Sequence, residues 1–249
     1  MEAYTDFASV YDELMDNTPY GQWCDNILNV LGEYGIRDGL VLDMGCGTGS
    51  LTELLAAKGY DMIGVDYSEE MLNIAFQKRE KSGHDILYLN QDMREFELYG
   101  TVRAIVSICD SINYLLEDED IVTCFKLVNN YLDPKGIFFF DFNTNYKYET
   151  VIGDRVIAET RDDCSFIWEN YFDEASAVNE YDLTLYIRED GETYRRFEEV
   201  HYQRAYDLKT IDRLLADAGM ELLAAYDAFT KEPVKEDSER IYVVARPRR

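Results

Sequence analysis

One stretch of this chain sets an acid and spaced glycines where a nucleotide-like ligand could be held. Residues 40–51 read Leu-Val-Leu-Asp-Met-Gly-Cys-Gly-Thr-Gly-Ser-Leu, so three apolar residues run into Asp43 and then Gly45, Gly47 and Gly49 alternate. Glycines at such a turn let the backbone approach a ligand and take up dihedrals that side chains forbid. Three further polar groups follow in order: Asp66, 21 residues after Gly45; Gln91-Asp92-Met93; and Cys109-Asp110-Ser111 with Asn113. Each stands where an apolar run ends. If those runs are parallel strands, all four groups lie at carboxyl ends and converge on one crevice.

The elements needed to position them are legible. Residues 4–15 place Tyr4, Phe7, Val10, Tyr11, Leu14 and Met15 on one helical face. After a break at 17–19, with Thr18 as the expected N-cap, a second helix carries Trp23, Ile27, Val30, Leu31 and Tyr34. From residue 40 strands and helices alternate: strands at 40–43, 61–66, 86–90, 104–108 and 137–142, helices at 50–58, 69–81 and 118–132. Ser68 reads as an N-cap followed by Glu69 and Glu70, which the helix dipole favours. The strand at 137–142 reads as apolar and covered on both faces. Repeated strand–helix units require parallel pairing with right-handed crossovers.

The rhythm changes at about 145. Through 204 the pattern alternates with period two, and Asp190-Gly191 is a hairpin signal. This reads as an antiparallel sheet of about four strands, with seven basic and 15 acidic residues, a net of −8. A helix at 207–218 and strands at 221–229 and 241–245 close the chain. The expected fold is α/β: a Rossmann-like seven-stranded, mostly parallel sheet with N-terminal cover helices and a small antiparallel β-sheet inserted after strand five. The expected division is 1–144 (helices and ligand-binding core), 145–204 (substrate cap or interface) and 205–249 (helix and hairpin completing the core).

Composition narrows the partners. The 249 residues carry 24 Lys+Arg against 50 Asp+Glu, a net charge of −26. That balance disfavours nucleic acid and anionic membranes. No apolar run approaches the ~18 residues of a membrane helix, and no signal peptide is visible, so the expected location is cytoplasmic. Cysteines 24, 46, 109, 124 and 164 have no paired spacing and only two histidines occur, which argues against disulfides and against a metal site.

The ordered set of Asp43-Met44-Gly45-Cys46-Gly47-Thr48-Gly49, Asp66, Gln91-Asp92-Met93 and Cys109 resembles the class I S-adenosylmethionine-dependent methyltransferases over residues 38–142, with 207–245 agreeing in order. The resemblance implies S-adenosyl-L-methionine as cofactor. Asp43 would orient its amino group, and Gly45, Cys46, Gly47 and Gly49 would border its methionine part and ribose. Asp66 would accept from the ribose hydroxyls and Tyr67 would pack beside the adenine. Gln91, Asp92 and Met93 would border the adenine, Asp92 accepting from its exocyclic amine. Cys109 would line the methyl end, and Tyr11 would close over the cofactor.

Methyl transfer from a sulfonium is an in-line displacement in which alignment and desolvation do most of the work. A base is needed only for a protonated nucleophile. His201 is the best candidate, since histidine titrates near neutrality, with Tyr202 beside it. Tyr4, Asn113 and Arg204 are candidates for contact with a small-molecule acceptor; the alternative for Asn113 is a cap of the following turn. A monomer or homodimer is expected. Two other readings compete: a non-catalytic cofactor-binding regulatory or interaction module, and a nicotinamide-dependent oxidoreductase, whose fingerprint wants glycine where Ser50 stands.

Overall fold

A computed structural model describes residues 7–16, 18–228 and 230–248. Tyr4, expected at the substrate, lies outside the described residues. The chain runs α1 (Ala8–Leu14), α2 (Tyr20–Glu33), β1 (Leu40–Met44), α3 (Ser50–Ala57), β2 (Asp61–Asp66), α4 (Glu69–Ser82), β3 (Ile86–Asn90) and β4 (Val102–Ser107). It continues through a 3₁₀ turn (Ser111–Tyr114), α5 (Asp118–Tyr131), β5 (Leu132–Asn143), a π-helical turn (Lys147–Ile152), β6 (Val156–Thr160) and β7 (Cys164–Asp173). It closes with β8 (Val178–Arg188), β9 (Tyr194–Arg204), α6 (Leu208–Asp217), β10 (Met220–Asp227) and β11 (Arg240–Pro247).

Seven strands form one sheet in the order β3-β2-β1-β4-β5-β11-β10. The first five are parallel, and β11 lies antiparallel between β5 and β10. Both faces are covered. Val41, Met62, Ala104 and Phe139 meet α2, α3 and α4 through Ile27, Leu31, Leu55 and Leu72. Leu42, Ile105, Phe138 and Phe140 meet α5 and α6 through Phe125, Val128, Ile211 and Leu214. The order reverses direction between β1 and β4, which opens a crevice at their carboxyl ends.

The second sheet is an antiparallel meander, β6-β7-β8-β9, inserted after β5. Gly191, with φ +61°, turns the hairpin between β8 and β9. The inner face of this sheet (Cys164, Leu183, Leu185) packs on Val10 and Leu14 of α1. The helix is therefore sandwiched between the small sheet and the glycine loop. Asp12 fixes it there: its carboxylate accepts from the hydroxyls of Thr48 (2.7 Å) and Ser50 (3.2 Å) and pairs with Lys78 (2.6 Å). So α1 is the cover, whereas the body of α2 packs on the sheet flank.

Several local details differ from the pattern reading. Helix α2 starts on Pro19 with no side-chain cap, so Thr18 is not the N-cap. Ser68 does cap α4, accepting from Met71 N at 3.1 Å. Residues 147–152 are not strand but a π-turn closed by Gly153 N donating to Tyr148 O, and the turn buries Tyr148 and Ile152. Residue 141 interrupts the apolar run of β5 with a fully buried aspartate. No helix among the described residues is long and apolar enough to cross a membrane.

Candidate active site

The crevice at the switch point is a cleft of about 360 Å³, within the roughly 300–1,000 Å³ usual for small-molecule sites. Asp43, Gly45, Cys46 and Gly47 from the first turn line it, as do Asp66 and Tyr67 after β2, Gln91, Asp92 and Met93 after β3, and Cys109 after β4. Tyr11 faces them from α1. With Tyr20 from the start of α2, six sequence segments thus meet in one cavity.

Each side chain is held by identifiable contacts. Asp43 is buried and accepts from Thr52 Oγ1 at 2.6 Å. Burial pushes its carboxyl up to about 7, assisted by the negative charge of Asp66. Asp66 is also raised by burial, against the amide donors at its oxygens. Gly47 N donates to its Oδ2 at 2.7 Å and Ser68 N to its Oδ1 at 2.9 Å. Burial would raise Asp92, but Arg94 holds it below the ordinary carboxylate range through Nε–Oδ1 (3.0 Å) and Nη2–Oδ2 (2.5 Å) bonds. Cys109 is pushed up to about 12, by burial and then by the charge of Asp110. Its thiol is therefore protonated at neutral pH and serves as a neutral wall, not a nucleophile. Tyr11 Oη lies 3.9 Å from Cys109 Sγ, which spans the cleft from cover helix to sheet.

The three glycines of the loop have separate reasons. A Cβ on Gly45 would fall 2.7 Å from Ser111 Oγ. Gly49 does not line the cleft; at φ +74° it starts α3, and a Cβ there would collide with the Tyr88 hydroxyl and sit 3.0 Å from Ala75 Cβ. Gly47, at φ +52°, lines the cleft, and nothing lies within 4 Å of the position its Cβ would take. Packing explains Gly45 and Gly49, while at Gly47 the protein leaves space open.

The acceptor-side expectations fare differently. His201 does not line the cleft. It is buried behind Tyr114, which does, with Nδ1 3.1 Å from Tyr114 Oη and Nε2 3.2 Å from Glu199 Oε2. Tyr202 points the other way. Neighbours on a strand face opposite sides, and with His201 and Gln203 turned inward, Tyr202 is 44% exposed on the outer face. Asn113 is fully buried as a clamp: Nδ2 donates to Asn143 O and Arg204 O, and Oδ1 accepts from Asn143 N. Arg204 ties β9 to the start of α5, donating to Leu116 O (2.8 Å) and pairing with Asp118 (2.9 Å). Asn113 and Arg204 are thus held by the fold and away from the cleft.

Other lining residues carried little sequence signal. Tyr20 opens α2 and enters the cleft, and burial raises its phenol. Tyr114, directly after Asn113, also lines the cleft and has no local signal of its own. Behind Cys109 stand Asp141 and Arg240. The first could have been noticed as the lone acid in a phenylalanine run; the second had no local signal. Among the described residues no group of three or more His, Cys, Asp or Glu is arranged to hold a metal.

A parallel sheet of this order, with an acid–glycine loop at its switch point and a second acid after the next strand, defines a nucleotide-cofactor enzyme fold. Comparison with known proteins is specific. Residues 41–136 match the family model described as a methyltransferase domain. A Bacillus subtilis (strain 168) protein named as a methyltransferase, YqeM, is 39% identical over 245 residues, covering 97% of this chain and 96% of that one. The crystal structure of an S-adenosylmethionine-dependent methyltransferase from Clostridium acetobutylicum ATCC 824 superposes with TM-score 0.88 and 32% identity over 99% of both chains. The S-adenosylmethionine-bound amino pentose methyltransferase CalS10 of Micromonospora echinaspora shares the fold, with TM-score 0.76 and 18% identity over 99% of this chain and 98% of that one. The chain belongs to the class I S-adenosylmethionine-dependent methyltransferases. S-Adenosylmethionine is its methyl donor, which displaces the nicotinamide and non-catalytic readings.

Proposed function

We propose that the protein methylates a small-molecule acceptor, with the cleft residues holding the donor and the small sheet at 145–204 capping the acceptor. The observation that carries this reading is the enclosure of the cleft by α1, pinned through Asp12 and brought by Tyr11 to within 3.9 Å of Cys109. A macromolecular acceptor would need an open face and, for nucleic acid, positive charge; this chain carries −26. The fold shared with an amino pentose methyltransferase agrees with a small acceptor.

When bound, S-adenosylmethionine supplies a methyl group on a positively charged sulfur. The residues fit that donor. Asp66 keeps lone pairs beyond those that accept from the amides of Gly47 and Ser68 and would accept from the ribose hydroxyls. Gly47 leaves open the space beside them. Asp43 would face the amino group, Tyr67 would pack on the adenine, and Asp92, with Gln91 and Met93, would border the adenine edge. Tyr11 and Cys109 exclude water at the methyl end. Where the acceptor carries a proton, Tyr114 Oη receives it as its own proton passes to His201 Nδ1; Glu199 holds the opposite nitrogen.

The test incubates purified protein with methyl-labelled S-adenosylmethionine and a cell extract divided into low-molecular-weight, protein and RNA fractions. Label is expected in the low-molecular-weight fraction. Label confined to protein or RNA would overturn the reading.

A further inference from the structure

Cys109 and Asp110 are consecutive non-glycine residues in the left-handed region, with φ 65° and 55°. Such backbone persists only where its surroundings over-determine it, and it clusters at functional sites. The surroundings are specific. Asp141, buried near the end of β5, accepts from both strained amides: Cys109 N at 3.2 Å and Asp110 N at 2.8 Å. Arg240, at the start of β11, donates Nη1 to Asp141 at 2.6 Å and Nη2 to the Asp110 carboxylate at 2.5 Å. Gln203 of the small sheet donates to the other Asp110 oxygen at 2.7 Å. One guanidinium thus bridges the carboxylate that holds the turn and the carboxylate the turn carries. A planar fork with fixed donors suits that bridge, and an ammonium does not reproduce it.

We propose that Arg240 is a positioning residue for the methionine end of the cofactor, acting through Asp141 and Asp110 to hold the Cys109–Asp110 turn against the cleft. The proposal rests on the reading that Cys109 borders the methionine end. Arg240 does not itself line the cleft; it acts from the C-terminal strand, 130 residues away in sequence from Asp110. Without it, the two buried carboxylates repel each other and the turn relaxes out of its left-handed conformation. The adenine end, built from the loops after β2 and β3, is untouched by that change.

The experiment uses two ligands that share the adenosine half. S-Adenosylhomocysteine reaches the methionine end; adenosine does not. Calorimetry on the full chain, wild type and Arg240→Gln, is expected to give at least a tenfold loss of affinity for S-adenosylhomocysteine and less than a twofold loss for adenosine. Arg240→Lys, which keeps the charge and loses the fork, is expected to fall between. Asp141→Asn is the second variant should Arg240→Gln fail to fold, with the same split expected. Equal losses for both ligands mark a purely structural residue and overturn the proposal, as does unchanged affinity for both. Wild-type protein that binds S-adenosylhomocysteine no tighter than adenosine would sink the reading of the cleft, and the proposal with it.

Discussion

Two glycines of the same loop should fail in different ways when given a methyl group. Gly47→Ala forces alanine to φ +52°, which costs ~1–2 kcal/mol for a left-handed L-residue. It meets no protein atom within 4 Å, so no packing penalty is added. Gly49→Ala pays the same conformational cost at φ +74° and also drives Cβ into the Tyr88 hydroxyl and Ala75. Overpacking of that kind adds ~1–3 kcal/mol, for a total of ~2–5 kcal/mol. For a chain of this size each kcal/mol lowers Tm by ~2–4 °C. Gly47→Ala should therefore lose ~2–8 °C and Gly49→Ala ~4–20 °C. The order reverses for ligand response. S-Adenosylhomocysteine at a hundredfold excess over Kd stabilises the native state by ~2.7 kcal/mol. Thermal unfolding with and without it should show that gain abolished in Gly47→Ala, whose methyl occupies ligand space, and retained in Gly49→Ala. A full ligand-induced shift in Gly47→Ala, or an undiminished ligand-free Tm in Gly49→Ala, would refute the division of roles.

Burial holds Asp43 at about 7, against ~3.9 in an unfolded chain. The folded state keeps a proton that the unfolded state releases, so stability from this group falls as pH rises from ~4 to ~7 and is level above that. Asp43→Asn should remove the slope, gaining on the order of 4 kcal/mol over wild type at about pH 8 and nothing at about pH 4 in urea titrations. A variant with no such gain at the higher pH would contradict the assigned burial cost. Ser68→Ala removes the cap on Met71 N and should cost ~1 kcal/mol, read as a Tm drop of ~2–4 °C. Tyr202→Ala, on the exposed face of β9, should change stability by no more than ~0.5 kcal/mol and leave S-adenosylhomocysteine affinity unaltered; a tenfold loss of affinity would place that side chain elsewhere.

Local sequence determined most of the elements and many of the residues that line the cleft, Tyr20 and Tyr114 apart, because both are written in contiguous residues. Period-3.6 and period-2 patterns specify helices and strands, and acids directly after apolar strands fall at carboxyl ends whatever the strand order. Asp43, Asp66, Asp92 and Cys109 needed no more than that. Strand alternation also separates His201 from Tyr202: as neighbours on β9 they cannot both face one cleft.

Tertiary structure decided the rest, where partners are distant in sequence. Asn113 and Arg204 are polar residues near the right segment, yet their hydrogen bonds to Asn143, Leu116 and Asp118 turn them into ties between elements. His201 is set behind Tyr114 only because β9 folds back on the turn after β4. Asp141 and Arg240 act on Cys109 across strands β5 and β11, a pairing that exists once those strands are adjacent. A buried charge must find its counter-charge when the chain closes, and that partner is chosen by sheet order, which no local pattern encodes.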